Sequence, residues 1–162
     1  MVAVCSWETG YYEGDLWMSA VEDVDELIGR YQLALDGFMK GDPRPVQELF
    51  SRRDDASLAN PYGPPVRGWD GIARTTEHAA SLRRDGRARG FEIVAKNVTP
   101  ELAYVVQIEF LESKVGQSEE ITPYALRATM IFRPEDGTWK VVHRHADPIT
   151  TPQPPDSVIH EE

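Results

Sequence analysis

His143, His145 and Asp147 stand at every second position near the end of the chain, after the turn Asp136–Gly137–Thr138 and the stretch Trp139, Lys140, Val141, Val142. Side chains two apart in an extended strand share a face. The spacing therefore predicts one row, Trp139, Val141, His143, His145 and Asp147, that passes from apolar packing to groups able to move protons. A carboxylate near an imidazole raises its pKa and fixes its tautomer, which equips such a pair for general acid or base work. Neighbours in the row are separated by about 7 Å of backbone rise, so they reach a shared substrate or water more readily than each other. For the same reason they do not form a metal site without a ligand from elsewhere, and no metal is expected. The plainer alternative is that one histidine hydrogen-bonds across the sheet while Asp147 caps the turn before Pro148.

The elements that must position this row follow from periodicity. Val24, Leu27, Ile28, Tyr31, Leu35, Phe38 and Met39 recur at steps of three and four, which predicts an amphipathic helix over 21–40 ended by Gly41 and Asp42. Asp42 as N-cap and Pro43 in the first turn predict a short second helix through Val46, Leu49 and Phe50. Ala56 and Leu58 read as a short strand entering the turn-rich segment Asn60–Pro65, and 66–69 as another. Asp70 is expected to cap a third helix through Ile72, Thr76, Ala79, Ala80 and Leu82, with Gly86 and Gly90 bounding its end. Strands follow over 91–98, 102–112, 124–132 and 139–145, separated by Pro100, Gly116 and the turn at 134–137. Helices followed by a run of antiparallel strands predict an α+β fold, with N-terminal helices packed on a strongly curved, mostly antiparallel sheet.

A chain of 162 residues suits one domain with a real core. Seventeen basic residues against 27 acidic give a net charge of -10, and no block of Lys and Arg offers a phosphate-tracking surface. Neither nucleic acid nor an anionic membrane is an expected partner. Cys5 is the single cysteine, so no intrachain disulfide forms and no zinc spacing is present, which reads as a reducing, cytoplasmic setting. Glu8, Glu13 and Asp15 interrupt any signal-peptide pattern. The expected organisation is an N-terminal extension over 1–17, a folded domain over 18–150 and a Pro-rich tail over 151–162. Trp7, Tyr11, Tyr12 and Trp17 make the extension aromatic enough to dock on the body or on a partner subunit.

Two motifs carry a family resemblance. The first is Lys40–Gly41–Asp42 with Val46, Leu49 and Phe50, followed by the run Asp55–Gly63, similar to that of ketosteroid isomerases. The second, Asp136–Gly137–Thr138–Trp139 with Val142, His143 and His145, is similar to the last strand of the calcium/calmodulin-dependent kinase II association domain. With the element order, these resemble the nuclear transport factor 2-like superfamily, in its SnoaL-like bacterial branch, over about residues 18–150. The resemblance implies a cone-shaped α+β barrel that binds small molecules inside and dimerises through the exposed sheet face. Family activities include isomerases, cyclases, dehydratases and epoxide hydrolases, alongside noncatalytic binding and assembly domains, so the fold does not choose among them.

The departures from the catalytic members are specific. Asn60 occupies the position of the isomerases' general-base aspartate, and an amide cannot take up a proton. Their oxyanion tyrosine falls near Ala34, with Tyr31 one turn away, and their second acid falls near Thr129, so ketosteroid isomerase chemistry is not expected. Arg127 and Arg144 are candidate analogues of the association domain's cavity arginines, but 103–110 has no arginine and carboxylate capture is not implied. Tyr31, Asn60, Trp69 and Arg127 are the candidate ligand contacts. For three of them a plainer role competes: turn backbone for Asn60, packing for Trp69, an ion pair with Glu109 for Arg127. Gln107 and Glu109 share a face with Ala103 and Val105, lining either the cavity or a wet dimer interface; the interface is the expectation.

The expected function is binding of a small apolar oxygenated molecule by a homodimer. A cofactor-free isomerase, cyclase or hydratase would use His143, His145 or Asp147 to move the proton. The alternative is a noncatalytic ligand-binding or dimerisation module.

Overall fold

The computed structural model describes residues 13–159. Helix α1 (Glu13–Phe38) buries Ala20, Val24, Leu27, Ile28, Tyr31 and Leu35 along one stripe and leaves Leu33 exposed. It begins upstream of the boundary expected at residue 18, and Trp17 helps to hold this first part: its indole Nε1 donates to the Val98 carbonyl at 3.2 Å. Trp7, Tyr11 and Tyr12 lie outside the described residues. The helix ends where Gly41 turns to φ +95° and the N–H groups of Gly41 and Asp42 return to the Phe38 and Gly37 carbonyls, each at 3.1 Å. The Asp42 carboxylate accepts from the Arg44 backbone N–H at 3.0 Å, immediately ahead of the one-turn helix α2 (Arg44–Gln47). No helix among the described residues is long and apolar enough to cross a membrane.

Two short strands, β1 (Ser57–Ala59) and β2 (Val66–Arg67), precede helix α3 (Trp69–Ser81). Four long strands follow: β3 (Arg83–Val98), β4 (Ala103–Val115), β5 (Thr122–Glu135) and β6 (Thr138–Asp147). They form one sheet in the order β2-β1-β6-β5-β4-β3, antiparallel throughout except that β1 runs parallel to β6. The α+β architecture is the one expected. Strand β3 differs from expectation: it starts eight residues early, so Gly86 and Gly90 lie inside a strand rather than at a helix end.

The β3–β4 ladder carries three register shifts and the β5–β6 ladder one. An extra residue on one strand bends it and increases its right-handed twist, so these bulges curl the sheet around the helices. Its inner face reads Ala103, Val105, Gln107, Glu109, Leu111 and Ser113 along β4, all buried. Ala128, Met130 and Phe132 of β5 continue it. One apolar cluster joins this face to α1, α2 and α3, and a smaller one gathers Met39, Leu111, Leu126, Ala128 and Ala146. The candidate site lies where these two clusters meet.

Candidate functional site

The β5–β6 irregularity changes which β6 residues look inward. Phe132 pairs with Val141 but Ile131 pairs with His143, so Val142 is an extra residue on β6. Alternation therefore restarts one residue out of phase, and Val141, Arg144 and Ala146 are the buried members of the strand. This corrects the single row expected from spacing: His143, His145 and Asp147 fall on the outer face, away from the cavity. His143 Nδ1 lies 2.8 Å from Ser57 Oγ on neighbouring β1, and burial, then His145, holds its pKa below the usual histidine value. His145 Nε2 is 3.7 Å from Asp147 Oδ2. Asp147 accepts from Arg127 Nε at 2.8 Å and from the Ile149 backbone N–H at 2.8 Å, a turn-capping arrangement around Pro148.

In their place β6 sends Arg144 into the cone. Its Nη2 donates to Glu109 Oε2 at 2.7 Å, Gln107 Nε2 donates to Glu109 Oε1 at 3.1 Å, and Gln32 Nε2 reaches Gln107 Oε1 at 3.3 Å. Glu109 is 0% exposed and Arg144 7%. Burying two charges costs several kcal/mol each, roughly, unless they pair and hydrogen-bond well, and here α1, β4 and β6 all contribute to that pairing. Burial opposes the Arg144 charge, but Glu109 and Tyr31 outweigh it and hold the guanidinium above its ordinary pKa. The Tyr31 ring centroid is 5.8 Å from the Arg144 guanidinium carbon. Burial pushes the Tyr31 phenol well above the usual tyrosine range, with Arg144 acting the other way, so its hydroxyl stays a neutral donor.

Tyr31, Glu109 and Arg144 line an inner cavity of about 50 Å³ whose other walls are mainly apolar, including Leu35, Phe38, Val46, Phe50, Leu58 and Leu126. Pro61, Tyr62, Arg83 and Leu126 also belong to an outer vestibule of about 480 Å³, walled further by Val115, Thr122, Tyr124 and Pro148. The inner space has room for little more than water or the reacting end of a molecule, while the vestibule is of the size that holds small ligands. Arg83, at their junction, lies with its guanidinium carbon 5.0 Å from the Tyr62 ring centroid and 4.9 Å from that of Tyr124.

The remaining candidates divide. Tyr31 lines the cavity. Asn60 lines it too, but its Oδ1 accepts from the Tyr62 N–H at 3.0 Å, which spends that oxygen on the turn that positions Tyr62. Trp69 opens α3 and lines neither space; it packs on the core under the Arg52 guanidinium, 3.2 Å from its ring centroid. Arg127 is likewise corrected: it is exposed on the outer face and pairs with Asp147, not Glu109. Gln107 and Glu109, expected at an interface, are inside. Arg83 had no place among the sequence candidates, because the residues around it read as the end of a helix.

The SnoaL-like domain family matches residues 29–150, most of the chain. The chain belongs to that family. Its SnoaL-like fold is shared with a ketosteroid isomerase-like protein from Erwinia carotovora atroseptica. The two are 19% identical, with 80% of this chain and 96% of that one covered at a TM-score of 0.66. A nuclear transport factor 2-like superfamily protein from Salmonella enterica serovar Typhimurium is 18% identical over 81% of this chain and 92% of that one, TM-score 0.66. A calcium/calmodulin-dependent protein kinase type II association domain-like protein from Thiobacillus denitrificans is 21% identical over 76% and 93%, TM-score 0.62. At such identities the likeness is one of fold. No curated protein matches the SnoaL-like chain.

Proposed function

We propose that this SnoaL-like chain binds a small, largely apolar, oxygenated molecule in the cone and moves a proton on it without a cofactor. One observation supports this above the others: a buried polar network, Gln107–Glu109–Arg144 beside Tyr31, forms one wall of a mainly apolar cavity. Tyr31 donates to the ligand's oxygen, where charge develops as a neighbouring C–H bond breaks. Glu109 is the one carboxylate on that wall among the described residues, so it takes up the proton. The acid-base role expected of His143, His145 and Asp147 thus passes to Tyr31 and Glu109. Isomerases and dehydratases are among the family's members, and both depend on proton transfer next to an oxygenated carbon.

Deuterium wash-in from heavy water tests this, with cyclohex-2-enone as probe and exchange followed by NMR. The wild type is expected to accelerate exchange beside the carbonyl, and Glu109→Gln or Tyr31→Phe to slow it roughly a hundredfold with the fold retained. Binding of the enone without exchange in the wild type would establish the second reading, a noncatalytic ligand-binding module. That reading is favoured by the engagement of both Glu109 oxygens in the unliganded network.

We further propose that a second copy covers the outer sheet face. Tyr104 and Phe110 are 39% and 41% exposed there, with Val106, Ile108 and Ile131 half-buried between them. A stable interface needs about 800 Å² from each partner, and this apolar stretch of β4 and β5 would form its centre. Ile108→Glu with Phe110→Glu is expected to convert a dimer to a monomer by native mass spectrometry, with an unchanged circular dichroism spectrum. A monomeric wild type would sink the proposal. Gln107 and Glu109, being buried, do not test this interface.

A further inference from the structure

Among the described residues, Arg83 is the one cavity guanidinium without a counterion. It is 4% exposed, and its Nε and Nη1 are buried without a hydrogen-bond partner. None of the ion pairs among the described residues includes it. The Tyr62 and Tyr124 rings offset part of its charge from their faces, but a ring supplies no acceptor in the guanidinium plane. A buried, unsatisfied cation is among the costliest features a core can carry, so its retention at the junction of two spaces calls for a partner that enters from outside.

The charge on the cavity wall specifies that partner. Arg83 and Arg144 contribute two positive charges and Glu109 one negative, leaving one positive charge inside a chain whose net charge is -10. We propose that the cone's ligand carries a single carboxylate, held by Arg83 at the throat between the inner cavity and the vestibule. This rests on the cavity-binding reading above and narrows its substrate to apolar carboxylic acids. A carboxylate is planar and matches the edge of a guanidinium in a way that strengthens both hydrogen bonds. A phosphate monoester, at about two negative charges, overshoots the single charge available. The ligand's oxygenated end then enters the small inner space toward Tyr31 and Glu109, and its remaining apolar part rests on Leu126, Val115 and Pro148 in the vestibule.

Three probes test this on the full chain: 3-phenylpropanoate, the neutral 3-phenylpropanamide and inorganic phosphate, each titrated by two-dimensional NMR into wild type, Arg83→Gln and Arg83→Lys. The wild type is expected to bind the acid at least roughly tenfold more tightly than the amide, in line with a charge-assisted pair. Arg83→Gln is expected to bring the acid down to the amide's affinity while leaving the amide unchanged within about twofold, and Arg83→Lys to retain part of the preference. If Arg83→Gln does not fold, the wild-type ratio and Arg83→Lys decide. Equal binding of acid and amide, with shifts at Tyr31 and Leu126, would overturn the carboxylate site and leave the cavity reading standing. A preference that survives Arg83→Gln, or phosphate displacing the acid at comparable concentration, would also overturn it. No perturbation of cavity resonances by either phenyl probe would remove both readings together.

Discussion

Arg144→Met is expected to lower the melting temperature by roughly 6–20 °C. The figure follows from about 3–5 kcal/mol for breaking a buried ion pair and about 2–4 °C per kcal/mol in a chain of this size. The loss does not come from the pair's own attraction, which in most buried pairs does little more than offset desolvation. It comes from what is left behind: Glu109, 0% exposed, would keep only Gln107 at 3.1 Å and lose the guanidinium at 2.7 Å. Arg144→Met combined with Glu109→Leu should therefore recover most of the stability, because the stranded charge is gone and most of the surrounding wall is apolar. Thermal and urea unfolding of the two single variants and the double variant give the coupling directly. A loss below about 1 kcal/mol in Arg144→Met would mean that the pair behaves as a solvated one, and that water fills the inner end of the cone.

The fold was legible because its elements obey unbroken periods. The stripe Val24, Leu27, Ile28, Tyr31, Leu35 holds its 3.6-residue phase along α1, so Tyr31 could be placed on the inward side of its helix from the sequence. The turn at Asp136–Gly137 and the alternation of β4 and β5 were readable for the same reason. The site was less legible because it depends on places where the period breaks. Val142 is a β-branched residue with nothing local to mark it as a bulge, yet its extra position moves His143 out of the cone and Arg144 into it. Strand β4 presents the opposite difficulty. Tyr104, Val106, Ile108 and Phe110 are bulkier and more apolar than Gln107, Glu109 and Ser113, so composition points to the wrong face as the buried one. The charged face goes inside because Arg144, eighteen residues beyond Leu126 of the adjoining strand, arrives to pair with Glu109, and no count along β4 alone reveals that.

Gly86→Ala is expected to cost at least about 3 kcal/mol, whereas Gly90→Ala, four residues along the same strand, should change stability by no more than about 0.5 kcal/mol. The two glycines look alike in the sequence, where both are expected to bound the end of a helix. In the structure a Cβ on Gly90 would meet nothing within 4 Å. One on Gly86 would overlap the Glu112 carbonyl oxygen, lie 2.5 Å from Ser113 Cβ and 2.8 Å from the Met39 carbonyl oxygen. Two of these three neighbours are backbone atoms, which cannot rotate aside as a flexible side chain would. The same residue donates its N–H to the Met39 carbonyl at 3.1 Å, so it holds the C-terminal end of α1 against the start of β3. Pushing those segments apart would also shift Arg83, three residues earlier, and Met39, whose sulfur accepts from the Tyr124 hydroxyl at 3.0 Å at the edge of the vestibule. Urea unfolding of both alanine variants measures the difference. Equal stability in the two would mean that α1 and the β3–β4 hairpin do not approach this closely, and the throat that positions Arg83 would lose its structural basis.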